Sequence, residues 1–245
     1  MNSHYLLFAL ALFLWSCETA PTIDDPADEL LQKAAGDISQ WQNVASIQFE
    51  KTSTLYDSSG AVESHTEQLH HYTYHPNRRI EIVTPATETL LIWDILGITK
   101  SVQDTLKAQE EADKAKPSME AATFVMELPY RLVNDEVELA VLDNEVLENW
   151  GEMEVLEARY NDNSGDIWRL YFELETHLLR AYRVQHADHI SYVINEKVHE
   201  MEGLYFPHER KSYRINEQGE KLYLRAAYVY ENMDIEWIKQ GVEKQ

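Results

Sequence analysis

The chain has one cysteine, Cys17, in 245 residues. No disulfide can form within it, so the fold must hold by core burial alone, even in an oxidising compartment. Positive charge is scarce. There are 21 Lys and Arg against 43 Asp and Glu, a formal charge of -22. A field of that sign repels phosphate backbones and excludes nucleic acid as the expected partner, and it disfavours docking of the folded surface onto anionic lipid. Glycine is sparse too: 8 residues against 14 Tyr and 6 Trp, a balance that suits half-buried strands carrying aromatics with a wet tip. There is no Gly-x-Ser-x-Gly elbow, no phosphate-cradling glycine loop and no His-Glu-x-x-His. Acidic residues are so numerous that two carboxylates close in sequence carry no weight for acid-base catalysis. No catalytic residue and no cofactor is expected.

The one long apolar run, residues 5–15, precedes Ser16 and Cys17. It falls short of the roughly 20 residues that span a bilayer and has the layout of an export signal, with an apolar stretch followed by a small residue at a cleavage site. Leu14-Trp15-Ser16-Cys17 resembles the lipobox of bacterial lipoproteins, in which the cysteine thiol receives a diacylglycerol and becomes the new N-terminus. The expectation is a signal peptide at 1–16, a lipidated flexible tether at 17–25 and Cys17 as the acylation site. Acyl chains contribute about 0.8 kcal/mol per buried CH2, so two or three hold a protein on a membrane. The alternative for the same residues is an apolar N-terminal element with a core cysteine.

Beyond the tether, Asp25 can cap a helix that starts at Pro26, with Asp28 and Glu29 at its positive end. Leu30, Leu31, Ala34, Ala35, Ile38 and Trp41 recur at helical spacing, which predicts one amphipathic helix over 28–41. From Val44 the period becomes two: Ala45, Ile47 and Phe49 alternate with Ser46, Gln48 and Glu50, and the chain turns at Asp57-Ser58-Ser59-Gly60 into a second long strand. Strands follow at 79–83 and 87–93. Residues 104–116 read as a solvated helix ended by Pro117, with Ser118 capping a second helix to Leu128; this insertion near 104–128 would cover one sheet face. Strands resume at 152–160, 167–174, 178–186, 189–197, 210–215 and 221–231. With no linker visible, residues 26–240 read as one domain with one continuous sheet.

The histidines offer two candidate groups. His65, His71 and His75 share one strand face with His70 opposite, and His186-Ala187-Asp188-His189 is compact. Zinc takes three or four ligands in a fixed array, and neither group reaches that number alone, so no metal is expected; His186 and His189 are the weak alternative, as part of a metal-dependent hydrolase.

The order of lipobox, helix, long hairpin, helical insertion, paired strands from Trp168 to His186, and Gly203-Leu204-Tyr205-Phe206-Pro207 leading into a last hairpin resembles the LolA-like superfamily of lipoprotein carriers and outer-membrane lipoproteins. The segment Thr123-Phe124-Val125-Met126-Glu127-Leu128-Pro129-Tyr130-Arg131-Leu132 is similar to one in uncharacterised lipoproteins of that fold, and the likeness covers most of 26–232. It implies an α+β, mostly β fold: a strongly curved antiparallel sheet, an unclosed barrel, covered by a few helices. It also implies a lipid-anchored, non-catalytic envelope protein on a bacterial membrane, the outer membrane first, with an acyl chain or lipoprotein as ligand and no need of an oligomer. In that setting Ile47, Phe49, Trp168, Leu170 and Phe172 would share a concave face roofed by Leu31, Ile38 and Trp41. The same residues would equally make a filled core in a structural or interaction lipoprotein.

Overall fold

The computed structural model describes residues 25–36, 38–133, 137–160 and 165–239. The expected signal peptide at 1–16, Cys17 and all of the expected tether but Asp25 lie outside them. The strands form one antiparallel sheet of thirteen, ordered β6-β5-β4-β3-β2-β1-β13-β12-β11-β10-β9-β8-β7. Two meanders make it. The first runs through β1 (Val44–Tyr56), β2 (Val62–Thr73), β3 (Arg79–Thr84), β4 (Thr89–Asp94), β5 (Gly97–Val102) and β6 (Thr105–Leu106). The second runs through β7 (Val137–Leu147), β8 (Gly151–Tyr160), β9 (Ile167–Glu173), β10 (Leu179–Gln185), β11 (Ile190–Met201), β12 (Leu204–Ile215) and β13 (Lys221–Trp237). They join where β1 pairs with β13, with Lys51 opposite Tyr230 and Ser53 opposite Tyr228. The sheet is curved and does not close, so β6 and β7 are its opposite edges.

That topology makes the roof. The connection from β6 to β7 must cross the whole width of the sheet. It does so through α3 (Gln109–Asp113), α4 (Lys116–Glu127) and a 3-10 turn at Tyr130–Val133. The helices here differ from the sequence expectation: the helix expected over 104–116 is only Gln109–Asp113, with the strand Thr105–Leu106 where its first turn would be. Pro117 sits in the first turn of α4 rather than ending a helix, because a first-turn residue has no N–H bond to lose. Ser118 is inside that turn, its hydroxyl donating to the Ala115 carbonyl at 2.8 Å. The short strands β5 and β6 and the long β7 were not foreseen.

The N-terminal helix differs too. Asp25 caps α1 (Pro26–Ala35), its carboxylate accepting from the Ala27 N–H at 2.8 Å. The helix stops at Gly36, whose φ of 61° and ψ of -139° lie outside helical space, and restarts as α2 (Ile38–Gln42). The single helix expected over 28–41 is therefore two. Its apolar stripe is divided between two cores. Leu30 and Leu31 pack with Leu156, Leu170 and Phe172 under the second meander. Ile38 and Trp41 pack with Ile47, Phe49, Tyr72 and Tyr130 under the first. Trp41 stacks on Tyr130 with centroids 4.8 Å apart, and the Tyr205 N–H donates to the Tyr130 hydroxyl at 2.7 Å. The β11–β12 turn closes over α2: a Cβ at Gly203 would stand 2.9 Å from the Gln40 side chain. A third, smaller core of Met153, Val155, Tyr171 and Ala181 lies on the other face of β8 to β10. No helix among the described residues is long and apolar enough to cross a membrane.

Candidate ligand cleft

Between α4 and the strands beneath it lies a cleft of about 860 Å³. Cross-strand register aligns its floor. Lys51 faces Tyr230 across β1 and β13, Tyr228 faces Arg210 across β13 and β12, and Ser212 faces Val193 across β12 and β11. Val193 in turn faces Tyr182 on β10, and Val184 faces Trp168 on β9. The roof contributes Ala121, Ala122, Phe124 and Val125 from α4. Phe124 meets Trp168 with centroids 4.5 Å apart, so roof and floor touch at that end. The C-terminal end of α4 is tied down by charge. Glu127 is buried, with Arg78 from the β2–β3 turn at 2.7 Å and Arg131 at 3.5 Å. Burial pushes the Glu127 carboxyl up, and Arg78 opposes that.

The cleft reverses the sign of the molecule. Lys51, Arg131, Arg210, Arg214 and Arg225 line it, against Glu120 and Asp166. Burial first, and the Arg210 guanidinium second, push the Lys51 ammonium down to about 7. Arg210 is 4% exposed and donates from one terminal nitrogen to the Tyr230 hydroxyl; its Nε and other terminal nitrogen have no hydrogen-bond acceptor among the described residues. Asn195, across the register from Arg210, donates to the Leu179 carbonyl at 2.9 Å, and its own oxygen has no partner among the described residues.

Of the sequence-nominated ligand residues, Trp168 lines this cleft. Phe49 edges a smaller hollow of about 570 Å³ over β1 to β4. Leu31, Ile47, Leu170 and Phe172 are closed inside the two cores, and Ile38 and Trp41 pack against the first. The nominated residues are thus not one surface, since the break at Gly36 and the curve of the sheet distribute them over two. The residues that sequence reasoning missed are Lys51, Arg210, Arg214, Tyr228 and the α4 face. One signal for Lys51 was available: it falls two residues after Phe49, on the inward phase of β1.

The histidines disperse. His70 stacks on Phe49 at 4.8 Å, and burial, then Lys51, holds its imidazole neutral, well below the usual range. His71 faces Glu81 at 3.6 Å on an exposed site. His186 and His189 do meet, centroids 4.6 Å apart, at the cleft edge, with Asp166 2.9 Å from His186. Among the described residues, no three His, Cys, Asp or Glu side chains converge as metal ligands do.

Three solved structures align along most of this chain. A DUF1329 family protein from Desulfovibrio piger is 10% identical, with a TM-score of 0.56 over 90% of this chain and 95% of its own. A LolA superfamily protein from Nitrosomonas europaea is 12% identical, with a TM-score of 0.55 over 89% and 97%. The fold is LolA-like. A candidate outer membrane lipoprotein-sorting protein domain from Vibrio parahaemolyticus agrees, 10% identical, with a TM-score of 0.57 over 89% and 94%. At such identities the likeness is one of architecture. No protein-family model matches the chain, and no curated protein sequence matches it.

Proposed function

We propose that this chain is a lipid-anchored lipoprotein of a bacterial envelope, held on the membrane through Cys17, that binds an acyl-chain ligand, free or carried on a lipid or lipoprotein, in the cleft under α4 without catalysis. The observation that carries the reading is the cleft itself. Its volume of about 860 Å³ falls in the range of ligand sites, and its walls bring Trp168, Val184 and Val193 from the floor against Phe124 and Val125 from the roof. An apolar chain gains about 25 cal/mol per Å² of surface removed from water, which needs no reacting group. The lipobox-like Leu14-Trp15-Ser16-Cys17 supports the anchor, and the lipoprotein-sorting description of one structural neighbour agrees with an acyl ligand.

The test has two parts. Mass spectrometry of protein purified from membranes in mild detergent should find lipid bound in near-stoichiometric amount to the folded region; a lipid-free protein that also fails to take up a fluorescent fatty acid contradicts the reading. Cys17→Ser should move the protein from the membrane fraction to the soluble one. Unchanged fractionation would remove the anchor while leaving the cleft.

A further inference from the structure

Resting on the reading of the cleft as an acyl-chain site, we infer that its floor takes the anionic head of an amphiphile, a carboxylate or phosphate, between Lys51 and Arg210, while the chain lies along the apolar wall toward Trp168. Three observations carry this. The first is the pattern of pairing. Two of the basic residues in the cleft have carboxylates of their own: Arg225 is bound to Glu63, and Arg131 to Glu127. Lys51, Arg210 and Arg214 have none among the described residues, although the chain carries twice as many acidic as basic groups, 43 against 21. The two acids in the wall are already engaged, Asp166 with His186 at 2.9 Å and Glu120 with Lys116 at 3.6 Å.

The second is Arg210 itself. It is 4% exposed, lines the cleft, and has two guanidinium nitrogens without an acceptor among the described residues. A buried charged donor left unpaired is destabilising, and a guanidinium N–H makes a short, strong hydrogen bond to a carboxylate or phosphate oxygen. The third is convergence. The Lys51 Nζ lies 5.2 Å from the Tyr228 ring centre, and the Arg210 Cζ lies 4.9 Å from it on the neighbouring strand. Two like charges gathered over one aromatic ring repel each other until an anion enters between them. The apolar surface continues from this point through Tyr182 and Val184 to Trp168, so head and tail of a single molecule are both accommodated.

The experiment measures dissociation constants at pH 7 for dodecanoate, dodecyl phosphate, dodecanol and inorganic phosphate on the delipidated full-length protein. At least one of the two anionic amphiphiles should bind roughly tenfold or more tighter than dodecanol, and inorganic phosphate alone far more weakly than dodecyl phosphate. Lys51→Met and Arg210→Gln should each cost the anionic amphiphile roughly tenfold and dodecanol far less, with Arg210→Lys restoring only part of the loss. If Arg210→Gln does not fold, Lys51→Met alone decides. Equal binding of dodecanoate, dodecyl phosphate and dodecanol, or anionic affinity untouched by Lys51→Met, overturns the head-group site and leaves the apolar cleft standing. Inorganic phosphate binding as tightly as dodecyl phosphate would make this a free-anion site and overturn the amphiphile. If no alkyl probe binds, the acyl-ligand reading falls and this inference with it.

Discussion

Lys51 is placed where stability alone would not put a lysine. Its ammonium faces the cleft beside Arg210 and is pushed down to about 7 by burial. An ordinary lysine in the unfolded chain keeps its proton to about 10.4. Between those limits the unfolded state binds more protons, so the Lys51 penalty is complete below pH 7 and fades as pH rises toward 10. Lys51→Met should therefore raise Tm at pH 6 to 7, by on the order of 3 °C, as replacing an uncompensated, partly buried charge with an apolar side chain does. The gain should shrink steadily between pH 7 and pH 10. Thermal unfolding of ligand-free protein across that range checks it, and a pH-independent difference would contradict the burial of this charge. A more stable variant that binds anions less well would mark Lys51 as kept for binding. Sequence reading placed Phe49 on the inward phase of β1, and the same phase held Lys51. What the sequence did not carry was the neighbour: Arg210 reaches Lys51 only through β13, and a register between strands at opposite ends of the chain is written in no local pattern.

Gly36 decides how the N-terminal helices divide the interior. With one continuous helix, as the spacing of Leu31, Ile38 and Trp41 predicted, Gly36→Ala would stabilise the protein by up to about 1 kcal/mol through helix propensity. The observed φ of 61° and ψ of -139° reverse the sign. Among the described residues, nothing beyond its chain neighbours lies within 4 Å of a Cβ built there, so backbone strain sets the effect, and a loss of about 1–3 kcal/mol is expected in denaturant unfolding. The periodicity was legible because burial recurs along the helix; the break was not, because a glycine near a helix end and one that reverses the chain look alike in sequence. β7 was missed for the opposite reason. It is an edge strand, largely exposed, with a register shift between Leu142 and Glu145 that spoils its alternation. α4 gives a further test. Arg78 is the close partner of buried Glu127, so Arg78→Met leaves that carboxylate with Arg131 at 3.5 Å. Its loss at pH 7 should be about 1–3 kcal/mol. Because burial already raises the Glu127 pKa, lowering the pH toward 5 should protonate the carboxyl in the variant first and recover part of that stability. A loss unchanged with pH would mean that Arg78 acts by packing over Tyr74 and Trp93 instead.

The whole chain and its cleft carry opposite signs, and distance separates their effects. Far from the protein a ligand meets the net charge of -22, so an anionic amphiphile is repelled before it reaches Lys51 and Arg210. Screening length falls from about 30 Å at 0.01 M salt to about 8 Å at 0.15 M. The long-range repulsion should fade over that range, while contacts inside the cleft, shielded from mobile ions by the sheet and α4, should change less. The association rate of dodecyl phosphate should then rise several-fold with salt, and the dissociation rate should stay nearly flat; dodecanol should show neither trend. Stopped-flow binding at several salt concentrations separates the two rates. A rate that falls with salt would mean that the cleft cations project their field through the opening and dominate at a distance. The expected direction has a consequence for delivery. A chain that slows the capture of anionic amphiphiles from bulk water would load more readily where the ligand is handed over at close range, and a tether through Cys17 would hold the cleft within that range of a membrane.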